Sequence, residues 1–114
     1  MMNFFKSTDS VRNISAAEAK RMMDSQERFI LLDVRTPEEY RAKHIPTSRL
    51  LPLDRLEKEA HPSFPDSSIP IVTYCQSGGR SAEAVRILSR LGYENIYNLG
   101  GIAGWPYKTE TGQG

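Results

Sequence analysis

Apolar positions along this chain follow two rhythms, and the change from one to the other marks out its elements. In "RFILLDV" the residues Phe29 to Leu32, and then Val34, form an almost unbroken apolar run. Such a run predicts a strand covered on both faces, as in a parallel sheet. "IVTY", Ile71 to Tyr74, and "NIYNL", Asn95 to Leu99, predict two more strands. Val11 and Ile14 in "VRNIS" predict a short one, and "SRLLPL" predicts another that Pro52 ends. Between these runs the spacing turns helical. Ala19, Met22 and Met23 share one face, and Leu53 and Leu56 point inward from "LDRLEKEAH". The clearest helix is "RSAEAVRILSRLG", where Ala84, Val85, Leu88 and Leu91 mark one side.

Local chemistry sets the ends of these helices. Ser15 is an N-cap with Glu18 three residues on, as in a capping box. Thr36 is a second N-cap, with Pro37 at the first helical position and Glu38 and Glu39 suited to a helix N-terminus. Gly92 is the predicted C-cap of the clearest helix. "PSFPDSSIP", with Pro62, Pro65 and Pro70, reads as a connecting loop. "GGIAGW" predicts a short final helix, and "KTETGQG" a frayed tail like the first ten residues. Strands alternating with helices predict an α/β fold, a mainly parallel central sheet of about five strands with helices on both faces. The 114 residues suit one domain, 1–114, with a core over about 11–107 and flexible tails at both ends.

Charge and cysteine content narrow the function. Fifteen basic and fourteen acidic residues leave a net charge of +1, with no basic stripe for nucleic acid or an anionic membrane. A single cysteine forms no internal disulfide, which points to a reducing, cytoplasmic setting. With only His44 and His61 beside it, a tetrahedral zinc site would need carboxylates to complete it, and no metal or other cofactor is expected. No apolar run approaches the ~20 residues that span a bilayer. The opening "MMNFFKSTDS" does not read as a signal peptide.

The lone cysteine lies in "IVTYCQSGGRS". Cys75 directly follows a predicted strand, and ligands of α/β sheets bind beyond the carboxyl ends of strands. The helix that begins near Arg80 aims its unpaired N–H groups and dipole at the loop, which favours an anion there. Gly78 and Gly79 let successive N–H groups curl inward, and Arg80 adds a permanent positive charge. A thiol so placed has a pKa below the ~8.5 of free cysteine, and its thiolate is a nucleophile. The expected site is Cys75 as nucleophile, with Gln76, Ser77, Gly78, Gly79, Arg80 and Ser81 as an anion-binding loop. Ser81 either caps its helix or reaches Cys75 with its hydroxyl. A nucleotide P-loop, a serine-hydrolase elbow and a Cys-x-x-Cys pair are all absent from the sequence.

Three segments together resemble the rhodanese family, the thiosulfate-type sulfurtransferases. They are "LLDVRTPEEYRAKHI", "CQSGGRS" and "LGYENIYNLGGIAGW", in that order, and the resemblance runs from about Ile14 to Trp105. The Cys-x4-Arg loop from Cys75 to Arg80 is similar to the six-residue loop of sulfur-transferring members, where phosphatases of the same fold carry one residue more. The resemblance implies transfer of a sulfane sulfur from a donor such as thiosulfate to a thiophilic acceptor (cyanide, a thiol or a protein) through a persulfide on Cys75. Arg80 would steady the anionic donor and the persulfide. Two other readings stand beside it. One is a non-catalytic module that binds a partner or carries sulfur. The other, against which the short loop argues, is a phosphatase or arsenate reductase of the same fold.

Gln76 stands where the family often has a basic residue. Lys43, Thr47 and Leu50 stand where it usually has Gly, Gly and Asn, so local backbone changes are expected around them. Asp33 and Arg35 flank a strand end. They are expected to form a supporting network in which Arg35 pairs with Glu38 or Glu39, and Asp33 is the one expected to face the site. His44 is expected to be a hydrogen-bonded, partly buried histidine that fixes the loop after it, and His61 to be solvated. Trp105 is expected to close the core near the end of the chain, the rival reading being contact of Trp105 and Tyr107 with a partner.

Overall fold

The computed structural model describes residues 11–25 and 27–112 of the chain. The expected loose N-terminal segment lies outside them. Five strands build one sheet: β1 (Val11–Asn13), β2 (Ile30–Asp33), β3 (Arg49–Leu50), β4 (Ile71–Cys75) and β5 (Ile96–Gly101). They lie in the order β1-β5-β4-β2-β3, and every neighbouring pair is parallel. The expected α/β fold is therefore present, with a wholly parallel sheet among the described residues.

Alternation along the strands assigns residues to two faces. Ile30, Leu32 and Ile71 pack with Leu56 and Ala60 of α3 (Leu53–Ser63) and with Ala84, Val85, Ile87 and Leu88 of α4 (Gly79–Arg90). Leu31, Val72 and Tyr74 pack on the other side, with Ala19, Met22 and Met23 of α1 (Ala16–Asp24), with Ile102, and with Trp105. β2 and β4, buried on both faces, are the continuous apolar runs of the sequence. Between β2 and β3 lies α2 (Pro37–Ala42), held at its start by a capping box of Thr36 and Glu39. The Ser15–Glu18 capping box of α1 is present as well.

Several local expectations are corrected. Pro62 lies inside the last turn of α3, not in the loop after it, and the helix closes where Phe64 N–H bonds Ala60 O. A proline one turn from a helix end forfeits a single hydrogen bond, which burial of Leu56, Ala60 and Phe64 offsets. In α4 the C-cap is Leu91. Gly92 follows it at φ +97° in a Schellman arrangement, with Gly92 N–H on Ser89 O and Tyr93 N–H on Leu88 O.

The segment Lys108–Gly112 is not frayed. Glu110 and His44 exchange two backbone bonds of 2.8 Å, and Gly112 N–H donates to Arg41 O at 2.8 Å. Thr47 takes φ +69°, a left-handed conformation that a β-branched residue adopts only under strain.

Candidate active site

Because all strands run the same way, Asp33 at the end of β2, Cys75 at the end of β4 and Gly101 at the end of β5 share one edge of the sheet. The connections leaving β2 and β4 run in opposite directions, to β3 and to β5, which opens a crevice between their ends. Cys75 and its loop occupy that position.

The loop forms because Gly78, the N-cap of α4, takes φ +114°. That turn brings the Gly78 N–H to 3.0 Å from Cys75 Sγ. The cysteine is 1% exposed. Burial by itself pushes the thiol up. The N–H groups of Ser81, Gly78 and Ser77 and the Ser81 hydroxyl outweigh it and hold the thiol below its ordinary value. Donors aimed at the sulfur, more than a bare cation, are the cause.

Ser81 lies in the first turn of α4 and does not cap it. Its hydroxyl is 2.9 Å from Asn98 Oδ1 and 3.1 Å from Gly78 O. Asn98 Oδ1 also accepts from Gly100 N–H at 3.0 Å, where the β4–β5 register slips. A bulge beside the loop thus re-aims the end of β5. Gly101 meets the loop so closely that a Cβ there would stand 2.5 Å from Gln76 O and 2.7 Å from Ser77 Cα. Ala103 N–H holds that same Gln76 carbonyl at 3.2 Å.

Two guanidiniums border the loop. Arg80 forms a bidentate pair with Glu39 of α2, at 2.7 and 2.9 Å. Arg80 holds the Glu39 carboxyl down to about 2, against the cost of its partial burial, with help from the Thr36 N–H and hydroxyl.

Arg35 does not pair with Glu38 or Glu39 as expected. Its Nε and Nη2 bond the Asp33 carboxylate at 2.8 to 3.1 Å, Nη2 reaches Lys43 O at 2.6 Å, and Nη1 donates to Gln76 Oε1 at 3.2 Å. Arg35 is thus the residue that touches the loop, while Asp33 is turned to Arg35. Both are buried.

The remaining candidates fall in supporting places. His44 is fully buried, stacked on Tyr40 at 3.8 Å, with Nδ1–H donating to Tyr40 O at 2.8 Å. His61 is exposed but not simply solvated, since its Nε2 bonds Leu91 O at the end of α4. Trp105 closes the second core cluster, its Nε1–H donating to Lys108 O, and Tyr107 meets it edge-on. Among the described residues no group of three or more His, Cys, Asp or Glu is placed to hold a metal ion. Nor is any described helix long and apolar enough to cross a membrane.

Sequence reasoning missed Glu39 as the partner of Arg80, Asn98 as the partner of Ser81, and the tight approach of Gly101. The doubled glycine at 100–101 was the one visible signal among them.

Comparison with known proteins places this geometry. The family model of the rhodanese-like domain matches residues 15–107. YrkF of Bacillus subtilis, named as a candidate sulfur carrier, is 36% identical over 92% of this chain and 56% of its own length. The thiosulfate sulfurtransferase PspE of Escherichia coli is 34% identical over 62% of this chain and 68% of its own. The chain thus spans little more than half the length of YrkF and two thirds of PspE. A solved structure described as rhodanese with anions, from E. coli, superposes with a TM-score of 0.68 at 30% identity. That match covers 73% of this chain and 98% of the other.

Proposed function

The chain belongs to the rhodanese-like family of sulfurtransferases, and on that premise we propose that it moves a sulfane sulfur through a persulfide on Cys75. The observation that carries the reading is the buried sulfur at the end of β4 with the Gly78 N–H 3.0 Å away and further donors of Ser77 and Ser81 around it. Those groups favour a thiolate, and they favour the terminal sulfur of a persulfide for the same reason: both carry negative charge at a helix N-terminus.

The reaction is a double displacement. The Cys75 thiolate attacks the outer sulfur of thiosulfate, the sulfur–sulfur bond of the donor breaks, and sulfite leaves with its electron pair. The persulfide anion then gives its outer sulfur to a thiophile. Cyanide becomes thiocyanate and the Cys75 thiolate is restored. A thiol or an acceptor protein takes the sulfur by the same attack. No second cysteine is required, in keeping with the single one in the sequence. Gln76, Ser77, Gly78, Gly79, Arg80 and Ser81 form the cradle, and Asp33 and Arg35 brace it. A module that only carries sulfur would share the persulfide and differ in turnover. YrkF, among the relatives, bears such a name.

The test is the intact mass of the protein after thiosulfate treatment and desalting, with Cys75→Ser alongside. A gain of one sulfur, absent from the variant and removed by cyanide, is expected. A folded protein with a free thiol that gains no sulfur from thiosulfate or from a hydropersulfide overturns the reading.

A further inference from the structure

Each guanidinium that borders the loop already has a carboxylate of its own. Arg80 is held by both oxygens of Glu39, and Arg35 by both oxygens of Asp33. Gln76, next to the nucleophile, is uncharged, and its Oε1 is engaged by Arg35. The side-chain charges beside the sulfur therefore cancel in pairs. What remains positive is the set of backbone N–H groups and the start of α4, a source of partial charge only.

From this arrangement we propose that Glu39 is a specificity-determining residue: by occupying Arg80 it sets the site to draw sulfur from low-charge organic hydropersulfides in preference to dianionic thiosulfate. The proposal rests on the sulfur-transfer reading above. A thiolate repels an incoming dianion in proportion to the product of their charges, and a free guanidinium would offset that repulsion. A guanidinium neutralised by a carboxylate offsets little. A hydropersulfide sulfur carries at most one negative charge, so it meets a smaller repulsion than the dianion.

The step balances without an outside oxidant or reductant. The Cys75 thiolate attacks the terminal sulfur of R–S–SH and the bond between the donor sulfurs breaks. Its electron pair leaves on the thiolate RS⁻, and the sulfane sulfur arrives on Cys75 with its proton.

Glu39 is built to stay in place. Its Oε1 also accepts from Thr36 N–H at 2.9 Å and Thr36 Oγ1 at 3.2 Å, which ties it to the start of α2. The pair is reachable from solvent, with side chains 36% exposed for Arg80 and 31% for Glu39.

The experiment measures the second-order rate of sulfur loading on Cys75 by quenched intact mass, using the full chain. Thiosulfate and cysteine hydropersulfide are the two donors. The single cysteine makes the added mass unambiguous. Glu39→Gln keeps a residue that serves a capping box and removes the charge. It is expected to raise loading from thiosulfate about tenfold, a change of one unit in log rate, and to change loading from the hydropersulfide much less. The gain should shrink as salt screens the freed guanidinium. Thr36→Ala loosens the start of α2 while Arg80 keeps its partner, so the ratio of the two donor rates should stay as in the parent. An unchanged ratio in Glu39→Gln, or an equal shift in Thr36→Ala, overturns the proposal. Loading of the parent protein from neither donor is a different failure, that of the sulfur-transfer reading itself.

Discussion

Arg35 and Arg80 stand on two sides of the same loop, and they are anchored in opposite ways. Arg35 is 2% exposed and its partner Asp33 is fully buried. It spends its donors on a carboxylate, a backbone carbonyl and the Gln76 side chain. Arg80 lies at the rim, and the two bonds of its guanidinium reach one carboxylate on a neighbouring helix. The same chemical pair thus serves two ends. Buried, it is a frame, because desolvation makes either charge costly without the other. At the rim it is an adjustable charge, because water stabilises each half alone.

The largest effect should come from breaking the frame. Arg35→Ala leaves the Asp33 carboxylate buried without compensation and is expected to cost about 3–5 kcal/mol in a urea unfolding experiment. A loss no larger than that of Arg80→Ala would erase the distinction between the two arginines.

A smaller effect should come from pushing the loop off its support. Gly101→Ala places a methyl against Gln76 O and Ser77 Cα, both backbone atoms. It should destabilise by about 1–3 kcal/mol, as overpacking does, and slow sulfur loading as well. Unchanged stability and loading would mean that the loop shifts freely and that Arg35, through Gln76, does not hold it.

The smallest effect belongs to the rim pair, and pH sharpens it. Arg80→Ala should change stability by no more than about 1 kcal/mol. Glu39 has its folded pKa depressed to about 2 from an ordinary 4.5. Its contribution is therefore complete above the unfolded value and is lost as pH falls from about 4.5 toward 2. The difference between the parent protein and Arg80→Ala should be flat near neutrality and shrink over that acid window. A difference that instead changes between pH 6 and 8 would assign it to another group.

The contrast also marks what a sequence can carry. The strands β2 and β4, the Ser15–Glu18 capping box, the Thr36 N-cap and the cysteine loop were legible because each is written in a few consecutive residues. Ser15 needs only Glu18 three positions on, and Cys75 needs only the strand before it and the glycines after it. The partner of Arg80 lies 41 positions away, and nothing local marks Glu39 as that partner. Arg35 was near enough to Asp33 for a sequence-based pairing. The acidic turn of α2 offered a rival, and burial made the choice. Polar composition suggested that the tail from Lys108 onward frays. Residues 108–112 stay ordered because two backbone bonds between Glu110 and His44 supply what composition does not reveal.

That last strap has a consequence for anything joined to this domain. Gly112 donates to Arg41 O on α2, half a turn from the Glu39 that holds Arg80. A protein fused after the strap starts its path beside α2, the helix whose Glu39 holds Arg80 of the cysteine loop. One fused ahead of Val11 starts at the opposite edge of the sheet, on its outermost strand. With a short flexible linker the first arrangement raises the effective concentration of a tethered acceptor to about the millimolar range. The two ends of the domain are thus unequal as attachment points, and under the proposed sulfur transfer the C-terminal one would turn hand-off from an encounter into a short reach.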